Sequence, residues 1–291
     1  MRMSRGEGGA SDRWGKSSFE DVYRRPDPRP YFTRLAPLRY QIPHHAQPVF
    51  RHALAARATA HPGAPVTVVD LCCSYGINAA LLNHHVTLRD LYDRYTGPDT
   101  TGLSTEELLA SDKEFYAARR RADAVPVVGV DASPEAVAYA VAVGLLDAAF
   151  AENLETAPAG EALNEALASA ALITVTGGLS YIGPRTFDAV LTPNRRTAWV
   201  TAFAVRPTDY RPVADVLRRH GLTTGTSART YRQRRFTDAA EHQRILARLQ
   251  AAGLDPNGKE ADGYYHAALH ESRPGNGFSP APSGPARHPG P

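Results

Sequence analysis

A chain of 291 residues that is 43% hydrophobic can fill one large α/β domain, or two small ones, without disulfide or metal staples. Its net charge of +3 falls far short of the bias of a chain that lives on phosphate backbones, so nucleic acid is not an expected partner. Two adjacent cysteines, Cys72 and Cys73, cannot staple distant segments and suit a reducing, cytoplasmic setting. No apolar run is expected to span a membrane, because the best one, from Ala136 to Ala151, is broken by Gly144 and Asp147.

Residues 1–18 are rich in Gly, Ser and Arg, and residues 274–291 in Pro, Gly and Ser; both are expected to be disordered tails. Residues 19–60 read as an N-terminal helical or lid segment, punctuated by proline in "YRRPDPRPYFTRLAPLRYQIP" and then helical from His45 to Ala60. Residues 61–273 form the main domain. Its pattern alternates: strands at 66–70, 127–131, 148–152, 171–176 and 198–205, with helices at 77–84, 134–143, 160–168, 185–192 and 208–220. Short apolar runs between helical stretches predict a doubly wound, mostly parallel sheet, a Rossmann-like α/β fold with helices on both faces. The ending "GLTTGTSARTYRQRRF", a helical pattern and then "GYYHAALHES" predicts an antiparallel C-terminal edge. Within it "ARTYRQRRF" alternates, so Arg229, Tyr231, Gln233 and Arg235 share one face, either a solvated edge or a site for an anionic substrate.

Asp70 and Asp131 stand 61 residues apart, whereas a plain strand–helix–strand unit needs about 20 residues to reach its acidic residue. Residues 86–124 are therefore a helical insertion with two helical patterns, the second opened by a Ser104/Glu107 capping box. It begins at the end of the sheet away from a ligand, so packing or a subunit contact, as in a homodimer, is expected of it more than a lid.

Open parallel sheets bind ligands outside the carboxyl ends of their strands, which puts the turn from Asp70 to Asn78 in position to hold something. It lacks the G-x-G-x-x-G of a dinucleotide site, with Gly76 its one glycine, and the chain has no Walker loop. Cys72 or Cys73 could be a nucleophile activated by the helix that follows, or simply a small packed residue; with no further cysteine, no metal site is expected. The pairs His44–His45 and His84–His85 have the wrong spacing for ligands on one helical face and read as solvated.

"VVDLCCSYG" resembles the first motif of class I S-adenosylmethionine-dependent methyltransferases, an apolar strand followed by D/E-x-G-x-G-x-G. "VPVVGVDASPEAVAYA" resembles their second motif, and "AAFAENLE" more weakly their third, so that the resemblance covers roughly residues 45–272. It implies an enzyme that uses S-adenosyl-L-methionine to methylate a small molecule. Asp131, beside Ala132, would bind the ribose hydroxyls, its alternative being a helix cap, a role that Ser133 before Pro134 fits better. Asp70 would orient the amino group of the methionine moiety, or serve turn chemistry. Cys72 and Ser74 would be the small residues of the turn, and Gly76 the residue of positive φ. Glu152 and Asn153 would contact adenine or supply loop polarity. In "TVTGGLSYIGP", Gly177, Gly178, Ser180 and Tyr181 would border the methyl donor, and the sequence is not the D/N-P-P-[YF] of many nucleic-acid amino-methyltransferases. Tyr181 and His266 are the catalytic candidates, His266 being otherwise an edge-strand residue. Arg206, Asp209 and Tyr210 are further wall candidates, or serve helix capping and loop polarity. "PYFTRLAPLRYQIPHH" is expected to cover the site with Tyr31, Phe32 and Tyr40, the alternative being that these aromatics are ordinary core. Two rivals stand beside this reading, an NAD(P)-dependent oxidoreductase and a noncatalytic protein that binds an adenosine ligand.

Overall fold

The computed structural model describes residues 19–275, so the expected tails lie outside the described residues, apart from Pro274 and Gly275. Pro274 ends the last strand instead. In chain order the helices are α1 (Glu20–Tyr23), α2 (Arg29–Leu35), α3 (Ile42–Ala60), α4 (Ile77–Asn83), α5 (Leu88–Thr96), α6 (Pro98–Thr101), α7 (Thr105–Ala117), α8 (Pro134–Ala142), α9 (Glu161–Leu167), α10 (Pro184–Leu191), α11 (Arg211–Arg219) and α12 (Ala239–Ala251). The strands are β1 (Thr67–Leu71), β2 (Val127–Asp131), β3 (Ala148–Ala151), β4 (Ala170–Thr176), β5 (Trp199–Val205), β6 (Leu222–Arg235) and β7 (Tyr264–Pro274). They form one sheet in the order β3-β2-β1-β4-β5-β7-β6, parallel except for β7, which runs antiparallel to both neighbours. This is the doubly wound sheet with an antiparallel edge that the periodicity predicts.

β4 and β5 are buried at every position, as central strands covered on both faces must be. Their side chains alternate between two cores. Val69, Leu71, Ile173 and Val175 pack with α9, α10 and α11 through Leu167, Phe187 and Leu217. On the other face Val68, Leu172 and Phe203 pack with α3 and α4 through Phe50 and Leu82. α3 starts three residues before the expected His45 because Pro43 fits a first helical turn, where its missing N–H costs nothing.

The insertion is stitched shut at its base. The Asn83 amide donates to Val125 O (2.7 Å) and accepts from Val125 N–H (3.1 Å), while His84 and Arg120 form a single antiparallel bridge. His84 is buried, with Nδ1 3.2 Å from Ala80 O, so it is not the solvated residue that spacing implied. Three helices stand where two patterns were read, since Pro98 after Gly97 opens the short α6. From its base the insertion climbs back toward the cavity described below. Phe32 of α2 stacks on Tyr95 of α5 (4.8 Å, 21°) and meets Tyr92 edge-on, and Arg29 donates to the carbonyls of Thr100 and Leu103. Beneath them Asp112 is fully buried, accepting from Arg94 Nε (2.5 Å) and the hydroxyls of Tyr95 and Tyr139.

β6 departs from simple alternation. Arg232 pairs with His266 and Arg235 with Tyr264, so one extra residue on β6 makes a bulge there. Consecutive residues Gln233 and Arg234 are consequently both about 1% exposed, contrary to the solvated edge.

The Asp112 network yields a stability prediction. Asp112→Ala leaves Arg94 and two tyrosine hydroxyls without their buried acceptor, and should destabilise the fold by about 3 kcal/mol. The urea midpoint is the readout, and a shift equivalent to under about 1 kcal/mol would mean that the network is not a structural tie.

Candidate functional site

A cavity of about 800 Å³ lies outside the carboxyl ends of β1, β2 and β4, where the strand order reverses direction, the place at which an open α/β sheet binds its ligand. Its floor is the turn between β1 and α4. Cys72 (φ 56°), Ser74 (φ 50°) and Gly76 (φ 77°) all take the left-handed conformation, so the turn winds tightly around two non-glycine residues. Each of those costs about 1–2 kcal/mol relative to an ordinary backbone. Strain of this kind persists only where surrounding contacts hold it, and it gathers at binding sites.

The contacts that hold it are specific. Asp131, ending β2, accepts from Ser74 N–H with Oδ2 (2.9 Å) and from Ser133 N–H with Oδ1 (2.9 Å). Burial raises its pKa even though these N–H bonds oppose the shift. Tyr75 points the other way and donates to the carbonyls of Val22 (2.7 Å) and Arg25 (2.9 Å), tying the turn to the N-terminal segment. A Cβ on Gly129 would sit 2.7 Å from Cys73 Sγ, so that thiol fills a slot only glycine leaves open. Burial, then Asp131 and Asp70, push the Cys73 thiol well above its ordinary pKa, the reverse of an activated nucleophile. Cys72 lines the cavity, and a Cβ on Gly178 would lie 2.5 Å from its Sγ. Neither cysteine is in a disulfide.

Asp70 is 1% exposed and lies behind the wall, not on it. Its carboxylate accepts from Thr174 Oγ1 (2.8 Å) and Asn78 Nδ2 (3.0 Å), and Asn78, also bonded to Thr176, reaches the cavity in its place. Burial pushes Asp70 up to about 7 against these bonds.

Ala132, Glu152, Asn153, Gly177 and Tyr181 all line the cavity, together with Cys72, Ser74 and Asp131. Gly76 does not; it caps α4, packed against Ala140 and Leu145. Glu152 accepts from Gly160 N–H (2.8 Å), and Asn153 from Glu155 N–H (3.0 Å). His266 lies apart on the β6–β7 edge, with Nδ1 against Thr230 Oγ1 (3.1 Å) and its pKa lowered to about 4 by burial and by Arg232 and Arg206. Arg206 pairs with Glu260, Asp209 with Arg211, and Tyr210 stacks on His270. These three lie off the wall.

The roof comes from the N-terminal segment: Phe19, Tyr23, Tyr31 and Tyr40 line the cavity, whereas Phe32 is buried behind it. Two backbone bonds fasten the roof to β6, Gln41 N–H to Gln233 O (2.8 Å) and Arg235 N–H to Leu38 O (2.7 Å). Gly177 takes φ 72°, and a Cβ there would meet the Tyr40 hydroxyl at 2.8 Å. Arg234, Asn78 and Thr176 are wall residues that patterning missed, and Gln233 joins them without the other members of its alternating face; the bulge and the tertiary contacts that aim them have no local signal. Among the described residues no cluster of metal ligands is present, and no helix is long and apolar enough to cross a membrane.

Gly178→Ala should lower both melting temperature and ligand affinity, because its Cβ collides with Cys72. Cys72→Gly, which removes the obstacle and suits the left-handed backbone, should restore part of each. A Gly178→Ala variant that melts and binds like the parent would show that the contact is slack.

No protein-family model matches the chain, and no curated protein matches it in sequence. Among solved structures it is similar to magnesium protoporphyrin IX methyltransferase from Synechocystis PCC 6803 with bound SAM, at 13% identity over 89% of this chain and 92% of that one, with a TM-score of 0.39. It is also similar to precorrin-6y C5,15-methyltransferase from Geobacter metallireducens (8% identity, 77% and 86% covered, TM-score 0.35) and to the YcgJ protein from Bacillus subtilis (13%, 78% and 99%, 0.42).

Proposed function

We propose that the protein is an S-adenosylmethionine-dependent methyltransferase of the cytoplasm that acts on a small-molecule acceptor. The observation that carries the reading is the Asp131 carboxylate. Each of its oxygens takes one backbone N–H from a different turn, and the group lines the cavity with acceptor capacity to spare, which suits a vicinal diol. Ser74 Oγ, buried and without a partner among the described residues, adds a polar group to the same wall. Cys72 and Ser74 carry side chains where a pyrophosphate would need bare backbone, which favours a ligand without phosphate over a nicotinamide dinucleotide.

The residues divide as follows. Asp131, with Ala132, would hold the ribose; Glu152 and Asn153 would face the adenine; Asn78, steadied by Asp70 and Thr176, would receive the amino-acid end. S-adenosylmethionine, when bound, supplies an electrophilic sulfonium methyl. The chain's own contribution is to position the acceptor and exclude water under the roof. Burial raises Tyr23, Tyr31 and Tyr40 above their ordinary pKa, so these hydroxyls donate hydrogen bonds at neutral pH and do not take protons. Tyr181, on the loop after β4, would border the reacting groups.

Asp131→Ala should weaken S-adenosylhomocysteine binding by about ten- to a thousandfold in calorimetric titration. It should also lower the melting temperature, because Ser74 and Ser133 lose their acceptor. A stability loss with unchanged affinity would remove the ribose assignment.

Asp70 yields a pH dependence. Its folded pKa of about 7 exceeds the ordinary 3.8, so the folded chain holds a proton that the unfolded chain releases between those values. Stability from this group therefore falls as pH rises through that window and levels off above 7. A ligand ammonium favours the ionised carboxylate, so affinity should rise with pH toward 7, by at most about tenfold per unit, with proton release on binding. Titrations from pH 6 to 8 should show the slope in the parent and lose it in Asp70→Asn; a flat parent profile would detach Asp70 from the ligand.

A further inference from the structure

The roof side of the cavity is built differently from its floor. Five aromatic side chains, Phe19, Tyr23, Tyr31, Tyr40 and Tyr181, bound it, and Tyr31 stands at 50° to Tyr23 and 88° to Tyr40, so ring faces and edges both meet the space. Into this aromatic enclosure the β6 bulge turns Gln233. The side chain is 1% exposed, lines the cavity, and its Oε1 has no hydrogen-bond partner among the described residues. The strand that carries it is fixed on both sides of the residue: the Gln233 backbone carbonyl receives Gln41 N–H (2.8 Å), and the adjacent Arg234 is locked bidentately to Glu241 (2.8 and 2.9 Å). The side chain reaches toward Gly177, with Nε2 3.6 Å from where a Cβ on that glycine would be. Gly177 follows β4, so the amide sits with the Tyr40 hydroxyl over the loop that would border a methyl donor.

A buried carbonyl oxygen without a donor is costly in the folded state, and the cost is recovered when a ligand brings the missing N–H or O–H. The neighbouring Arg234 guanidinium makes no bond to it; three of its five N–H groups go to Glu241 and to Arg235 O. Aromatic walls bury flat rings well and orient them through edge and face contacts, and a few convergent polar groups then set specificity.

We propose that Gln233 is the specificity-determining residue for the acceptor, and that the acceptor is a planar aromatic or heteroaromatic molecule whose ring carries an O–H or N–H donor read by the Gln233 carboxamide. The assignment deepens the methyltransferase reading above and rests on it for the word acceptor. Gln233 recognises; it takes no proton and forms no bond.

Matched ring pairs that differ in the donor alone test the assignment: indole against benzothiophene, and 6-hydroxyquinoline against quinoline. Each is titrated by ligand-observed NMR into the full chain with S-adenosylhomocysteine present and absent, while S-adenosylhomocysteine itself is titrated by calorimetry. The donor-bearing member of each pair should bind about tenfold more tightly to the parent, and the ratio should fall to near one in Gln233→Leu. Should that variant fail to fold, Gln233→Met removes the same two polar atoms with a longer, more adaptable side chain. Equal binding of the paired probes to the parent, or a preference that survives the substitution, overturns the assignment. Loss of S-adenosylhomocysteine binding in Gln233→Leu with the probe preference intact would place the amide at the donor end and also overturn it. If the parent prefers the donor-bearing rings yet ignores S-adenosylhomocysteine, the recognition role of Gln233 stands and the methyltransferase reading falls.

Discussion

The site depends on one carboxylate that joins two turns. Asp131 closes β2, and its two oxygens hold Ser74 in the turn after β1 and Ser133 in the turn after β2 at equal distances of 2.9 Å. That bridge, together with Cys72 N–H donating to Val130 O (2.8 Å), helps sustain the left-handed conformations of Cys72 and Ser74, which are unfavourable for side-chain-bearing residues. The same group that faces the cavity thus also gives the cavity its floor. Burial of the carboxylate makes its remaining acceptor capacity worth more to a ligand than an exposed aspartate would offer.

A second tier of contacts carries this local order outward. Tyr75 belongs to the strained turn yet anchors the carbonyls of Val22 and Arg25, so the segment that roofs the cavity is fastened to the floor. The roof is also held at its far end by β6 and at its side by the insertion, where Tyr92 donates to Tyr40 O (3.0 Å). The insertion therefore packs against the segment that carries Tyr31 and Tyr40. Its starting point at the far end of the sheet, which suggested remoteness from the site, describes only its base.

The parts of this arrangement that were legible in the sequence are those with local causes. Apolar runs located β1 and β2 to within a residue, because a fully buried parallel strand needs a continuous hydrophobic stretch. Asp131 stood out because it ends such a strand just before a helix, where an acidic residue can meet the hydroxyls of a ribose. Gly76 was readable as the left-handed residue, but Cys72 and Ser74 were not, because their conformations are imposed by Asp131 and Gly178 from elsewhere in the chain. For a similar reason alternation leaves Gln233 on a face that is either a solvated edge or an anionic-substrate site. Strict alternation puts it beside Arg235, and only the register against β7 shows the extra residue that turns both Gln233 and Arg234 inward. Asp70 and Asn78 exchange places in the same way: the aspartate is legible, while the asparagine that reaches the cavity on its behalf is set by helix α4 and Thr176.

The buried Asp112 bears on modularity. The base of the insertion is narrow, and the clasp of Asn83 on Val125 would let a short turn replace residues 86–124 without moving either neighbour. Topology alone would call the segment removable. Yet Asp112 of α7 holds the hydroxyl of Tyr139 on α8, the helix that begins two residues after Ala132, and Arg29 of the roof uses carbonyls of the insertion as acceptors. Excision would strand a tyrosine hydroxyl in α8 and take two carbonyl acceptors from the roof's Arg29, leaving that guanidinium to Asp27 alone. The helices therefore cannot be discarded without rebuilding the site they support.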